Sequence, residues 1–237
     1  MRLANRTAIV TGGGSGIGRA ITAALAREGA TVVIAARGRD RLNETAQAIE
    51  GATSRPCVIP VVCDVRSKAD CQAAARTALD RTGRIDILVN NTGVGVGDLV
   101  VDCPEESWDY VMDSSAKGTF LMSQAVLPAM IAQRDGFILN IGSQASKHGY
   151  ARTGPYCAAK FAVLGFGLAL QEEVREHGIR VHTLCPGIVQ VPSPSDPSQI
   201  NRDVLQVEDM AETALFVLTR PRHMKLEDIG LFGSGIR

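Results

Sequence analysis

Thr7-Ala8-Ile9-Val10-Thr11-Gly12-Gly13-Gly14-Ser15-Gly16-Ile17-Gly18 decides the fold. An apolar, β-branched run stops at a glycine cluster, and a helix-length segment, 18–27, follows and ends at Gly29. Glycine at such a junction permits a tight turn and lets backbone amides approach an anion at the helix N-terminus. The spacing Gly12-x-x-x-Gly16-x-Gly18 between a strand and a helix points to a bound nucleotide pyrophosphate. The plainer reading is a turn and nothing more.

Working outward, the same alternation repeats along the chain. Apolar runs lie at 7–10, 31–35, 58–62, 85–89, 137–141, 180–184 and 226–232. Most are rich in Val and Ile and lack strict alternation, as strands covered on both faces should. Between them the pattern predicts helices at 18–27, 39–49, 67–81, 104–133, 153–177 and 207–219. Ser67-x-x-Asp70 reads as a capping box, Gly51, Gly83 and Gly178 as stops, and Pro104 as a first-turn proline. Such alternation means an α/β fold: a doubly wound parallel sheet of about seven strands with helices on both faces. Neither a composition shift nor a repeat marks a second unit, so 1–237 is expected to be one domain. The irregular stretch 191–205 carries Pro192, Pro194 and Pro197. It follows the sixth strand at the carboxyl edge, where such sheets bind ligands, so a short substrate lid is expected at about 190–206. A linker is the alternative.

The 237 residues are 45% hydrophobic and 21% charged, with 25 basic and 25 acidic side chains. That balance offers no basic excess for nucleic acid or an anionic membrane. No uncharged stretch is long enough to span a bilayer; the most apolar one, 161–170, is short and runs into Gln171-Glu172-Glu173. The N-terminus lacks the apolar core of a signal peptide. Six cysteines without a Cys-x-x-Cys pair read as reduced, mostly buried thiols of a cytoplasmic protein.

Chemistry-bearing residues fall at the strand ends. After the second strand, Ala35-Ala36-Arg37-Gly38-Arg39 has no carboxylate to bind a ribose 2′-hydroxyl, and Arg37 has the fork geometry for a 2′-phosphate. This favours NADP(H), with NAD(H) possible and a solvated basic turn as the bland reading. Asp64-Val65 closes the third strand and Asn90-Asn91-Thr92-Gly93 the fourth; each alone would be a turn former. Further on, Tyr156-Cys157-Ala158-Ala159-Lys160 puts a phenol and an ammonium on one helical face. The ammonium is expected to lower the phenol pKa and so make Tyr156 usable as a general acid or base.

Taken with Ser143 and Pro186-Gly187, these landmarks resemble the short-chain dehydrogenase/reductase family over essentially the whole chain. The resemblance implies a Rossmann-type fold and catalysis by Ser143, Tyr156 and Lys160. Tyr156 would exchange the proton, Lys160 would hold the nicotinamide ribose and depress the phenol pKa, and Ser143 would bind the substrate oxygen. It further implies cofactor contacts from Gly12, Ser15, Gly16, Ile17, Gly18, Arg37, Asp64, Val65, Asn91, Gly93, Tyr156, Lys160, Pro186, Gly187 and Val189. No metal is implied. The implied partners are a small carbonyl or alcohol substrate and further copies of the chain, as a homotetramer or homodimer. The two long helices would form the dimer seam.

The chain departs from the family at several positions. Ser115 stands where an asparagine usually supports the proton relay, so Ser115 is carried as a fourth catalytic residue with a slower or rerouted relay. Val191 replaces a threonine, Thr92 an alanine and His182 an asparagine. His148 is a candidate for the pocket wall and Arg202 for a substrate carboxylate, although surface roles are the simpler readings. The closing segment looks like that of members acting on 3-hydroxy acids and related small alcohols. The leading expectation is an NADP-dependent oxidoreductase; the alternatives are a dinucleotide-binding sensor or scaffold and a 3-oxoacyl reductase.

Overall fold

The computed structural model describes residues 1–191, 200–221, 223, 224, 226 and 229–235. Its centre is a seven-stranded parallel sheet. The strands are β1 (Thr7–Thr11), β2 (Thr31–Ala36), β3 (Val58–Val62), β4 (Ile87–Asn90), β5 (Gly136–Ile141), β6 (Ile179–Pro186) and, at the far edge, β9 (Ile229–Leu231). The spatial order is β3-β2-β1-β4-β5-β6-β9. β1, β4 and β5 are buried at every residue, which is why their sequences read as continuous apolar runs.

Alternate residues of each strand feed two cores. Ala8 and Val10 join Val32 and Ile34 beneath α1 (Gly16–Arg27), α2 (Arg39–Thr53) and α7 (Val207–Leu218). Ile9 and Val33 join the opposite layer, against α3 (Lys68–Thr82), α5 (Gly118–Gln133) and α6 (Gly154–Val174). The strand order reverses between β1 and β4, so their carboxyl ends splay their loops apart and leave a crevice.

The local signals mostly hold. The Ser67 hydroxyl accepts from the Asp70 amide at 3.3 Å at the start of α3, and Gly83 ends the helix with φ +74°. β4 starts at Ile87 rather than 85. The Gln133 side chain takes up both backbone groups of Ile85, accepting from its amide at 3.0 Å and donating to its carbonyl at 2.8 Å. The expected helix over 104–133 is interrupted. α4 (Glu105–Met112) passes into a π-helical turn, Asp113–Lys117, before α5 continues. The wider turn buries Ser114 and Ser115. The last strand spans three residues because only Leu184–Pro186 of β6 pairs with it. At the lid, β7 (Val189–Gln190) pairs in parallel with β8 (Leu205–Gln206); the part of the lid at 192–199 lies outside the described residues.

Candidate active site

The loop from β1 to α1 opens the crevice. The Ser15 side chain does not cap α1, so the first-turn amides have no side-chain partner and are available to an anion. A Cβ at Gly18 would lie 2.3 Å from the Gly12 carbonyl oxygen, so the helix can follow the turn this closely only with glycine there. Thr11 fastens the opposite wall: its hydroxyl accepts from the amides of Asn91 (2.9 Å) and Thr92 (3.0 Å), while Asn91 Nδ2 donates to the Thr11 carbonyl.

A cavity of about 1110 Å³ runs from this loop to the ends of β2 and β3. Gly12, Ser15, Gly16, Ile17, Arg37, Asp64, Val65, Asn91 and Gly93 all line it. Sequence reasoning missed two neighbours. Tyr110 of α4 enters from the side, with the Arg37 guanidinium 5.9 Å and that of Arg66 5.2 Å from its ring centre. Arg66 also donates from Nε to both Asp64 oxygens, at 2.9 and 3.0 Å, and holds that carboxyl below its usual pKa. Arg37 makes no ion pair within 4 Å among the described residues and lines the cavity beside the Tyr110 ring. The uncapped helix end and the glycine approach fit a dinucleotide.

A second cavity of about 730 Å³ adjoins the first through shared Ile17, Asn91, Gly93 and Val94. Ser143, Tyr156, Lys160, Pro186, Gly187 and Val189 line it, so three of the four expected catalytic residues share one cavity with the expected nicotinamide-end residues, and Ser115 is not among its lining. Ser143 leaves β5 as the first residue of a short capped turn, its hydroxyl accepting from the Ala145 amide at 3.1 Å. The same side chain lies close enough to Tyr156 to favour its phenolate.

The expected pKa effect is not there. Burial pushes the Tyr156 phenol up, only partly opposed by the neighbouring Ser143 hydroxyl. Lys160 does not offset it: its ammonium lies 5.8 Å from the Tyr156 ring centre and donates to the Ile141 carbonyl at 2.7 Å. The lysine is buried, and the loss of solvation lowers its own pKa to about 8.

Ser115 sits in the π turn, wholly buried, with its hydroxyl unpartnered. A Cβ at Gly93 would lie 3.2 Å from both Ser115 Oγ and Lys160 Nζ, so the two groups flank the same glycine. Other expectations fall away from the site. His148 and Arg202 are exposed and outside the cavity wall, and His182 is buried against Phe137 at 5.0 Å between rings. Val191 lies beside Gly16, on the nucleotide side of the crevice. Among the described residues no group of His, Cys, Asp or Glu could hold a metal ion. None of their helices is long and apolar enough to cross a membrane.

The short chain dehydrogenase family model matches residues 6–199. An uncharacterized oxidoreductase of Staphylococcus aureus (strain USA300) is 33% identical over 227 residues, covering 96% of both chains. Among solved structures, levodione reductase superposes with a TM-score of 0.90 at 26% identity, covering 98% of both chains. A metagenomic short-chain oxidoreductase in complex with NADP gives 0.85 at 30% identity and the same coverage.

Proposed function

The chain belongs to the short-chain dehydrogenase family of oxidoreductases, and on that premise we propose that it interconverts a small alcohol and its ketone or aldehyde with NADP(H). The observation that carries the reading is the convergence of Ser143, Tyr156 and Lys160 on the cavity that adjoins the nucleotide crevice. The α1 amides would hold the pyrophosphate, Arg37 the 2′-phosphate, and Asn91 and Lys160 the ribose hydroxyls. When bound, the cofactor supplies or accepts the hydride.

The chain's own residues manage the proton. Ser143 fixes the substrate oxygen and stabilises developing charge there. Tyr156 then donates its proton to that oxygen. Its raised pKa keeps the phenol protonated at neutral pH, which suits carbonyl reduction. Alcohol oxidation needs the phenolate and therefore speeds up as pH rises. We assign Ser115 the task of passing a proton to or from Lys160 through a water that its unpartnered hydroxyl would hold.

Phe120, Phe161 and Leu168 remain exposed on α5 and α6, which supports a dimer seam along those helices and a homotetramer built from it. Six unpaired thiols suit a reducing compartment, and we place the protein in the cytoplasm. Light scattering that returned a monomer would remove the seam. For the reaction itself, NADPH deuterated at the transferable position is incubated with a methyl ketone. Deuterium on the product's carbinol carbon supports the reading; cofactor oxidation without labelled alcohol sinks it.

A further inference from the structure

Resting on the oxidoreductase reading, we propose that the substrate is an uncharged ketone or secondary alcohol bearing an apolar substituent, and that the site rejects 3-oxo and 3-hydroxy carboxylates. The wall facing Tyr156 is built from Val94, Val96, Ala145, Tyr150, Ile188 and Phe232. Among the described residues lining the cavity, Lys160 is the sole charged group, and the Ile141 carbonyl already engages it at the back. Two of the polar side chains in the lining are turned to the backbone. Gln144 donates to the Cys185 carbonyl, and the Thr153 hydroxyl donates to the Tyr150 carbonyl at 2.9 Å.

A carboxylate placed here would lose its water and gain no cation from the described residues, which is strongly unfavourable. The sequence between β7 and β8 carries a single basic residue, Arg202, which is exposed and apart from the wall.

The apolar surface does not stop at the wall. Beyond Val96 the chain presents Leu99, Val100 and Val101, exposed at 45%, 78% and 86%. Val100 packs on the first turn of α6: a Cβ at Gly154 would lie 3.2 Å from Val100 Cγ2. That turn also carries Tyr156. Apart from Asp98, the segment leading outward from the cavity is apolar, and a substrate tail would lie along it.

The test compares kcat/KM, read as NADPH consumption, for 2-alkanones of four to seven carbons and for 5-oxohexanoate against its methyl ester. The expected result is a rise of about threefold per methylene and an ester preferred over the acid by at least about 100-fold. Calorimetry on the NADPH complex of Tyr156→Phe gives a second readout, with the ester binding at least about tenfold tighter than the acid. Val96→Lys should raise turnover of the acid about tenfold or more by giving the carboxylate a partner. If that variant does not fold, the exposed site Ile188→Lys carries the same expectation. Acid and ester turned over at similar rates, or rates flat with chain length, would overturn the inference and leave the oxidoreductase reading standing. Tight NADPH binding without reduction of any ketone, charged or neutral, would overturn that reading and the inference with it.

Discussion

Replacing Lys160 by methionine isolates the cost of burying an ammonium beneath the active site. Lys160 is 5% exposed, and burial lowers its pKa from the ordinary 10.5 to about 8. That difference corresponds to about 3 kcal/mol against the charged form at neutral pH. The single bond to the Ile141 carbonyl is the compensation seen in the structure. Because the folded pKa lies below the unfolded one, the unfolded chain binds more protons between pH 8 and about 10.5. The penalty is fully present below pH 8 and is relieved as pH climbs through that window. Integrated from pH 7 to 9.5, the wild type should gain about 2 kcal/mol relative to Lys160→Met. Urea unfolding of both proteins at the two pH values measures the double difference, in which other titrating groups cancel. Parallel pH dependences would refute the reasoning and mean that Lys160 keeps an ordinary pKa in its buried site.

Tyr110 orients both guanidiniums at the cofactor's far end. Tyr110→Ala should weaken binding of 2′,5′-ADP about fivefold, the worth of about 1 kcal/mol of lost cation–π contact, while sparing 5′-AMP in calorimetry. Gly18→Ala forces a Cβ to within 2.3 Å of the Gly12 carbonyl. It should lower the unfolding free energy by about 1–3 kcal/mol and weaken NADPH binding seen by fluorescence. At the opposite end of the sheet Asp86 is 4% exposed. Burial alone would raise its pKa, but bonds from Arg84, the Thr7 amide and Arg6 outweigh that and hold it low. Asp86→Ala should cost about 3–5 kcal/mol in urea at pH 7. The carboxylate's own contribution is present above its unfolded pKa and fades as pH falls below it, so the gap between wild type and variant should narrow in acid.

The fold was legible because each strand's two-sided burial leaves an unbroken apolar run and each helix carries its own punctuation. Ser67 and Gly83 cap and stop α3 by local chemistry alone. The errors arose where tertiary contacts override local pattern. Nothing near Ile85 announces that Gln133, 48 residues on, will close its backbone groups. The π turn at 113–117 hides in a good helical pattern; the pair Ser114-Ser115 was its faint local sign.

The site divides in the same way. Tyr156 and Lys160, like Gly12, Gly16 and Gly18, are readable because spacing along one segment fixes their relation, and the family resemblance adds Ser143. The electrostatics are not. Tyr156 and Lys160 share a helical face, yet the ammonium turns to the Ile141 carbonyl and leaves the phenol's pKa to burial. Tyr110, Tyr150 and Phe232 reach the cavities from segments whose sequences carry no motif, and only the folded chain places them.

The most direct test of the account is NADPH consumption with a neutral methyl ketone by wild type and Tyr156→Phe, with cofactor affinity measured in parallel. The account expects steady turnover in the wild type and a fall of at least about 100-fold in the variant, the reach of general acid catalysis, at unchanged NADPH affinity. A variant that turns over as fast as wild type would contradict it, because the proton would then come from a group other than Tyr156.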